Sequence, residues 1–183
     1  MGPDLSPADP GVTVVRLIDA TESDHVAVLE LNEGALPHVS ILSPDALAHL
    51  HEEAFYFRVA RSEVGALGFL LALTETAAYD SANFLWFRER YERFVYIDRI
   101  VIGEGHRGMG LGRRLYADLA EAAGSHAGIL SCEVNLRPPN PGSITFHRTL
   151  GFREVGQQDT EGSAKRVSLL IRRRRSSDRG GRT

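Results

Sequence analysis

Cysteine and tryptophan each occur once in the 183-residue chain, and methionine twice. A lone cysteine, Cys132, excludes an internal disulfide, and a reducing, cytoplasmic compartment is the default that follows. No apolar run approaches the ~18–20 residues needed to span a bilayer, so no membrane partner is expected. The first ten residues, MGPDLSPADP, are acidic and proline-rich, unlike a secretory leader. His49 and His51 lie two apart, which on a helix aims them to different sides, so no metal is expected. Neither G-x-x-x-x-G-K-[ST] nor G-x-S-x-G occurs, which removes the phosphate loop of nucleotide triphosphatases and the nucleophile elbow of hydrolases. Internal repeats are also lacking.

What is present is ordinary for a globular protein: 43% hydrophobic and 25% charged residues. The length suits one domain, expected over 11–172, between a disordered start at 1–10 and an arginine-rich disordered tail at 173–183. The net charge is −3 overall and +5 in the last twelve residues, hence −8 elsewhere. An acidic body argues against a nucleic-acid partner.

Hydrophobic periodicity and turn residues predict strands over 11–18, 55–60, 66–73, 94–102, 129–135, 152–157 and 165–172. Helices are expected near 22–33, 44–52, 83–91, 109–123 and 143–150. Ser43-Pro44 is a cap followed by proline in the first turn, and Gly151 closes the last helix. The segment 74–93 is a long connection rich in aromatics, including Tyr79, Phe84, Trp86, Phe87 and Tyr91. Such a segment either covers the sheet or walls a pocket. The sum is a mixed α/β fold of about seven strands, largely antiparallel, with strands four and five parallel and joined by the helix at 109–123.

The richest stretch is 94–119, FVYIDRIVIGEGHRGMGLGRRLYADL. A buried strand runs into a turn holding Gly103, Gly105, Gly108, Gly110 and Gly112, and an amphipathic helix follows with Leu111, Leu115, Leu119 and Ala122 on one face. Strand, glycine turn and helix N-terminus together hold a phosphate. The first N–H groups of the helix lack partners, the dipole is positive there, and missing Cβ atoms let a ligand touch the backbone.

The run Arg107-Gly108-Met109-Gly110-Leu111-Gly112 resembles the Arg/Gln-x-x-Gly-x-Gly/Ala signature of the GNAT superfamily of N-acetyltransferases. The likeness continues to Asn140, Phe146-His147 and Leu150-Gly151-Phe152, so it is good over roughly 94–156 and an outline before that. It implies the GNAT fold and acetyl-coenzyme A as cofactor. The strand carrying Ile100, Val101 and Ile102 would pair with the pantetheine arm in a splay between strands four and five. Backbone groups at 107–113, with Arg107 and Arg113, would take the pyrophosphate. Asn135 and Asn140 match positions that hydrogen-bond the cofactor arm. A small-molecule or peptide amine would be the acceptor, with Asn32, His38, Tyr79 and Trp86 as substrate-side residues. Whether the protein is a homodimer stays open.

Acetyl transfer to an amine requires a proton acceptor, and the departing thiolate gains from an acid. Asp98, a carboxylate in an otherwise apolar strand on the face of Ile100 and Ile102, is the first candidate base. Its alternative is a structural pair with Arg16 or with Arg99 of a neighbouring molecule. Glu133 is the weaker candidate base. His147 stands where the family usually has a tyrosine acid, and its alternative is simple packing beside Phe146 and Leu150. Cys132 alternates with core positions and reads as a buried thiol. Two other classes stay in view. One is a non-catalytic module that senses acyl-coenzyme A. The other, further away, is a dinucleotide-binding oxidoreductase, which the Gly108-x-Gly110-x-Gly112 run mimics.

Overall fold

A computed structural model describes residues 14–124, 126–161 and 164–173. The ends expected to be disordered, 1–10 and nearly all of 173–183, lie outside them. One seven-stranded sheet has the order β1-β2-β3-β4-β5-β7-β6. In chain order the strands are β1 (Arg16–Asp19), β2 (Tyr56–Ser62), β3 (Gly65–Thr74), β4 (Val95–Ile102), β5 (Ile129–Arg137), β6 (Arg153–Thr160) and β7 (Lys165–Arg173). All neighbours are antiparallel except β4 and β5.

Among the described residues, five α-helices cover the two faces: α1 (His25–Glu33), α2 (Pro44–Glu53), α3 (Ala82–Arg88), α4 (Leu111–Ala123) and α5 (Pro141–Thr149). On one face, α1, α2 and α3 pack over Val59, Phe69, Tyr96, Leu169 and Ile171. On the other, α4 and α5 pack over Leu70, Val95, Ile97, Cys132 and Leu170. Local chemistry fixes several ends. Ser43 and Asn140 cap α2 and α5 by accepting the N–H groups of Ala46 (3.1 Å) and Ser143 (3.2 Å), and each is followed by proline. Gly151, at φ +86°, ends α5. On α4 the buried stripe is Leu111, Leu115, Tyr116, Leu119 and Ala123; Ala122, expected in it, is exposed.

The expected aromatic connection is mostly core. Phe84 and Phe87 are fully buried against Phe94 and Tyr96, so α3 is a lid of rings over the first face.

Two features of β4 position everything functional. First, β4 and β5 pair only at Val95 with Leu130 and Tyr96 with Ser131. Beyond those two pairs the strands part, and β5 continues on β7 alone. Second, the β3–β4 register shifts between Leu71 opposite Arg99 and Ala72 opposite Ile97, which leaves Asp98 as an extra residue in a β-bulge. The bulge breaks the alternation of side chains. Ile97 belongs to the α4 side, as do Ile100 and Ile102, whereas Tyr96 and Val101 belong to the α1–α3 side.

Candidate active site

The glycine turn takes the shape its composition dictates. Gly108 (φ +80°) and Gly110 (φ +77°) are left-handed, and an added Cβ at either would meet no neighbouring atom. An open concave backbone is what remains. The first intrahelical bond of α4 is Arg114 N–H to Gly110 O at 3.1 Å, so the N–H groups of Leu111, Gly112 and Arg113 are the unpaired donors of a helix start. Arg107 and Arg113 flank the turn and are exposed; they touch Ile102 O (3.3 Å) and Thr149 Oγ1 (3.0 Å). The residues present therefore fit a pyrophosphate. Met109 is an exposed neighbour in the turn, and Leu111 is buried beneath it. Gly112 serves a second purpose, because a Cβ there would lie 2.9 Å from Phe146 Cζ; its smallness lets α4 meet α5.

The parting of β4 and β5 leaves the edge of β4 from Ile97 onward without a strand partner on that side. Ile100, Val101 and Ile102 pair with Leu70, Phe69 and Gly68 of β3, and their opposite edge faces the gap.

Asp98 does not share a face with Ile100 and Ile102. The bulge turns it to the α1–α3 side, which the residue count along an unbroken strand cannot show. Its two oxygens are taken at 2.6 Å each, Oδ1 by the Tyr79 hydroxyl and Oδ2 by Arg99 Nε. The partner in the chain is thus Arg99 of the same strand and not Arg16. Arg99 Nη1 donates further to Asn32 Oδ1 (2.8 Å) and Ser40 O (3.4 Å). Burial alone would weaken the hold of Arg99 on its proton, but the Asp98 charge reverses that and raises its pKa.

Glu133 lies directly across the gap. On β5, Ser131, Glu133 and Asn135 alternate with buried Leu130, Cys132 and Val134, so the three polar side chains face the α1–α3 side together. Glu133 Oε2 accepts the Tyr96 hydroxyl at 2.7 Å. Burial pushes the Glu133 carboxyl up to about 7; the Asp98 charge adds to this, while hydrogen bonds from Tyr96 and Asn83 oppose it. A carboxyl poised there changes protonation at neutral pH. Tyr79 and Tyr96, by contrast, are held well above the ordinary tyrosine range, chiefly by burial, and stay protonated donors.

The remaining expected residues fall into three groups. Asn32 and Asn135 fasten the loop between α1 and α2. Asn32 Nδ2 donates to Ser40 O (3.1 Å), and Asn135 Nδ2 to the carbonyls of Pro37 and His38 (3.3 Å each). His38 is exposed on that loop. Trp86 is not brought to the gap, since its ring sits 2.8 Å from where a Gly156 Cβ would be and carries Arg90 at 4.1 Å. Asn140 is a helix cap. His147 is buried between rings of Tyr116, Phe146 and Phe152. Its Nδ1–H donates to Ser143 O and its Nε2 accepts the Tyr116 hydroxyl, both at 2.7 Å. Burial lowers its pKa, so the ring is neutral with both nitrogens engaged. Cys132 is buried beside Tyr116, and its thiol is pushed up.

The structure brings Glu133 beside Tyr96 and Asn83, neither of which the sequence analysis singles out for this site, and it pairs Asp98 with Arg99 of the same strand. The period-two pattern Ser131, Glu133, Asn135 in an apolar strand was the available signal. Among the described residues, no helix is long and apolar enough to cross a membrane, and no group of three or more potential ligands is placed to hold a metal.

A family model described as the acetyltransferase (GNAT) family matches residues 26–152. No curated protein matches the sequence. Similar solved structures include Ard1 from Thermoplasma volcanium (TM-score 0.72, 16% identity, 88% of this chain and 99% of that one). The ribosomal-protein-S18-alanine N-acetyltransferase of Escherichia coli gives 0.67 and 14%, over 92% of this chain and 100% of that one. Arabidopsis thaliana Naa50, in complex with a bisubstrate analogue CoA-Ac-MVNAL, gives 0.66 and 14%, over 86% and 97%. At these identities the likeness concerns the fold.

Proposed function

The chain belongs to the GNAT acetyltransferase family, an acyltransferase family, and from that premise we propose that it moves an acetyl group from acetyl-coenzyme A to a primary amine, with Glu133 as the proton acceptor. Acetyl-coenzyme A supplies an activated acetyl thioester. The turn at 107–113 binds the pyrophosphate through backbone N–H groups, with Arg107 and Arg113 adding charge. The open edge of β4 beyond Ile97 orients the pantetheine arm in the gap and offers a backbone N–H to the developing oxyanion.

The observation that carries this reading is the Glu133 carboxyl, which reaches the gap from β5 and is held near neutrality. An amine arrives mostly as an ammonium ion and must lose a proton before it attacks. A base with pKa near the working pH combines a useful ionised fraction with useful basicity. Asp98 is less suited, because both its oxygens are already committed. His147 holds α5 against α4 and is not assigned a proton to give. A thiol is acidic enough, near the ~8.5 of cysteine, to leave as thiolate.

The acceptor class is a small molecule or a peptide. Two of the structural neighbours carry an N-acetyltransferase or a peptide-analogue name, so a peptide α-amine belongs in any test beside small polyamines and amino acids. The experiment has two arms. Acetyl-coenzyme A should raise the melting temperature while NAD and ATP at equal concentration do much less. An acetylation assay over a mixed amine panel should then give product. Equal shifts from all three ligands defeat the proposal, and a selective shift with no acetylated product on any amine favours the coenzyme-sensing alternative.

A further inference from the structure

The loop at 34–43, between α1 and α2, is held from both sides of the gap. Strand pairing stops at Tyr96 and Ser131; Arg99 lies three residues further along β4, and Asn135 four further along β5. Side chains at these two levels take hold of the loop by its backbone carbonyls. From β5, the Asn135 amide, 7% exposed, donates to Pro37 O and His38 O at 3.3 Å each, one acceptor for each of its two N–H bonds. From β4, Arg99 Nη1 donates to Ser40 O (3.4 Å) and to Asn32 Oδ1 (2.8 Å). Asn32 Nδ2 donates to the same Ser40 O (3.1 Å). Asn32 and Arg99 are as enclosed as Asn135.

These ties lie on the side of the sheet where Glu133 waits. Asn135 follows Glu133 by two residues on β5, so both face α1–α3. The glycine turn opens α4, which packs on the opposite face, so the proposed cofactor arm enters from there. An amine reaching Glu133 from the α1–α3 side passes the loop, and where the loop sits depends on Asn135.

We propose that Asn135 is a positioning residue for the acceptor: it fixes the 34–43 loop to β5 while Asn32 and Arg99 fix it to β4, and the loop so held is the wall against which the amine is captured. This rests on the acetyltransferase reading above. It moves Asn135 from the cofactor arm, which the family likeness implies, to the acceptor side, because both its amide donors are already taken by the loop. Asn135 acts through the loop and not on the reacting atoms.

Cutting the tie therefore weakens capture and spares chemistry. A loop that leaves its seat lowers the fraction of molecules competent to hold the amine, and apparent affinity falls by that fraction.

The test compares Asn135→Ala with the parent, both full length. Hydrogen exchange of the peptide covering 34–43 should quicken by about tenfold or more, while α4 keeps its protection. With an amine found in the panel, KM for the amine should rise by about tenfold, with kcat within about twofold of the parent's. KM for acetyl-coenzyme A, and the thermal shift it gives, should stay at the parent's values. Asn32→Ala, which removes one tie on the β4 side, should move exchange and amine KM in the same direction by less. A raised KM for acetyl-coenzyme A or a lost shift puts Asn135 on the cofactor and overturns the proposal. Unchanged exchange in the loop overturns it too, as does a loosened loop with an unchanged KM for the amine. If Asn135→Ala does not fold, Asn135→Ser, too short to reach both carbonyls, is read by the same criteria. A parent that acetylates no amine defeats the acetyltransferase reading and the acceptor role with it; a parent that does, with amine KM unmoved in the variant, defeats the role of Asn135 alone.

Discussion

Seven consecutive residues, Arg107–Arg113, build the glycine turn proposed to hold the pyrophosphate, whereas the polar cluster across the gap draws Asn32, Tyr79, Asn83, Tyr96, Asp98, Arg99 and Glu133 from several segments. The turn works through backbone. Its donors are N–H groups, and its essential side chains are the absent ones of Gly108 and Gly110. The cluster works through side chains held in place by packing of α1, α3, β4 and β5. The two should therefore fail differently. A change in the turn removes ligand binding while the fold persists, and a change in the cluster removes chemistry or stability while ligand binding persists.

The sharpest separation comes from Glu133→Gln. It should lower kcat by roughly 10²–10⁴-fold, the range for loss of a general base, while the thermal shift given by acetyl-coenzyme A stays close to the parent's. Loss of both at once would mean that the sides of the gap are not independent. Gly110→Asp is the converse. It places a Cβ at φ +77° and a negative charge in the turn, so the coenzyme-induced shift should vanish, at a folding cost of about 1–2 kcal/mol for the left-handed backbone. A retained shift would move the pyrophosphate elsewhere.

His147→Phe tests a residue that belongs to neither side. It strands the Tyr116 hydroxyl and Ser143 carbonyl, so it should cost about 1–3 kcal/mol of stability, with activity per folded molecule little changed. A large fall in kcat at full occupancy of the folded state would return His147 to the chemistry. A smaller effect is the pH dependence of stability. Glu133 binds a proton more tightly in the folded protein than in the unfolded chain, with pKa about 7 against 4.5. Its contribution is complete below about 4.5 and is lost as pH rises through 7, so stability should decline over that window. Comparing melting curves of the parent and Glu133→Gln isolates it; the variant should lack that slope. Smallest of all, Trp86→Phe should cost some packing on Gly156 and leave kcat/KM unchanged.

Most strand and helix positions were legible in the sequence, because each is written locally. Ser43-Pro44 and Asn140-Pro141 mark helix starts by capping chemistry, 94–102 is a mostly apolar run, and 130–135 alternates apolar and polar residues. The open, left-handed shape of the glycine turn was equally readable, since Gly108 and Gly110 take backbone angles that other residues avoid. The face of Asp98 was not. A single extra residue in β4 reverses which side its neighbours take, and nothing local in VYIDRIVI distinguishes a bulged strand from a regular one.

What the sequence alone determined is therefore the order of elements and the shape of the glycine turn, because φ preferences and hydrogen-bond donors of six or seven residues are set by those residues. Only the tertiary structure decided what each carboxylate is paired with. Asp98 and Glu133 are both acidic residues in apolar strands, alike on the page. Arg99 and Tyr79 occupy both oxygens of Asp98, while the parting of β4 from β5 leaves Glu133 at the gap with the neutral donors Tyr96 and Asn83. The charge of a buried group depends on what surrounds it in three dimensions, and those surroundings come from distant parts of the chain.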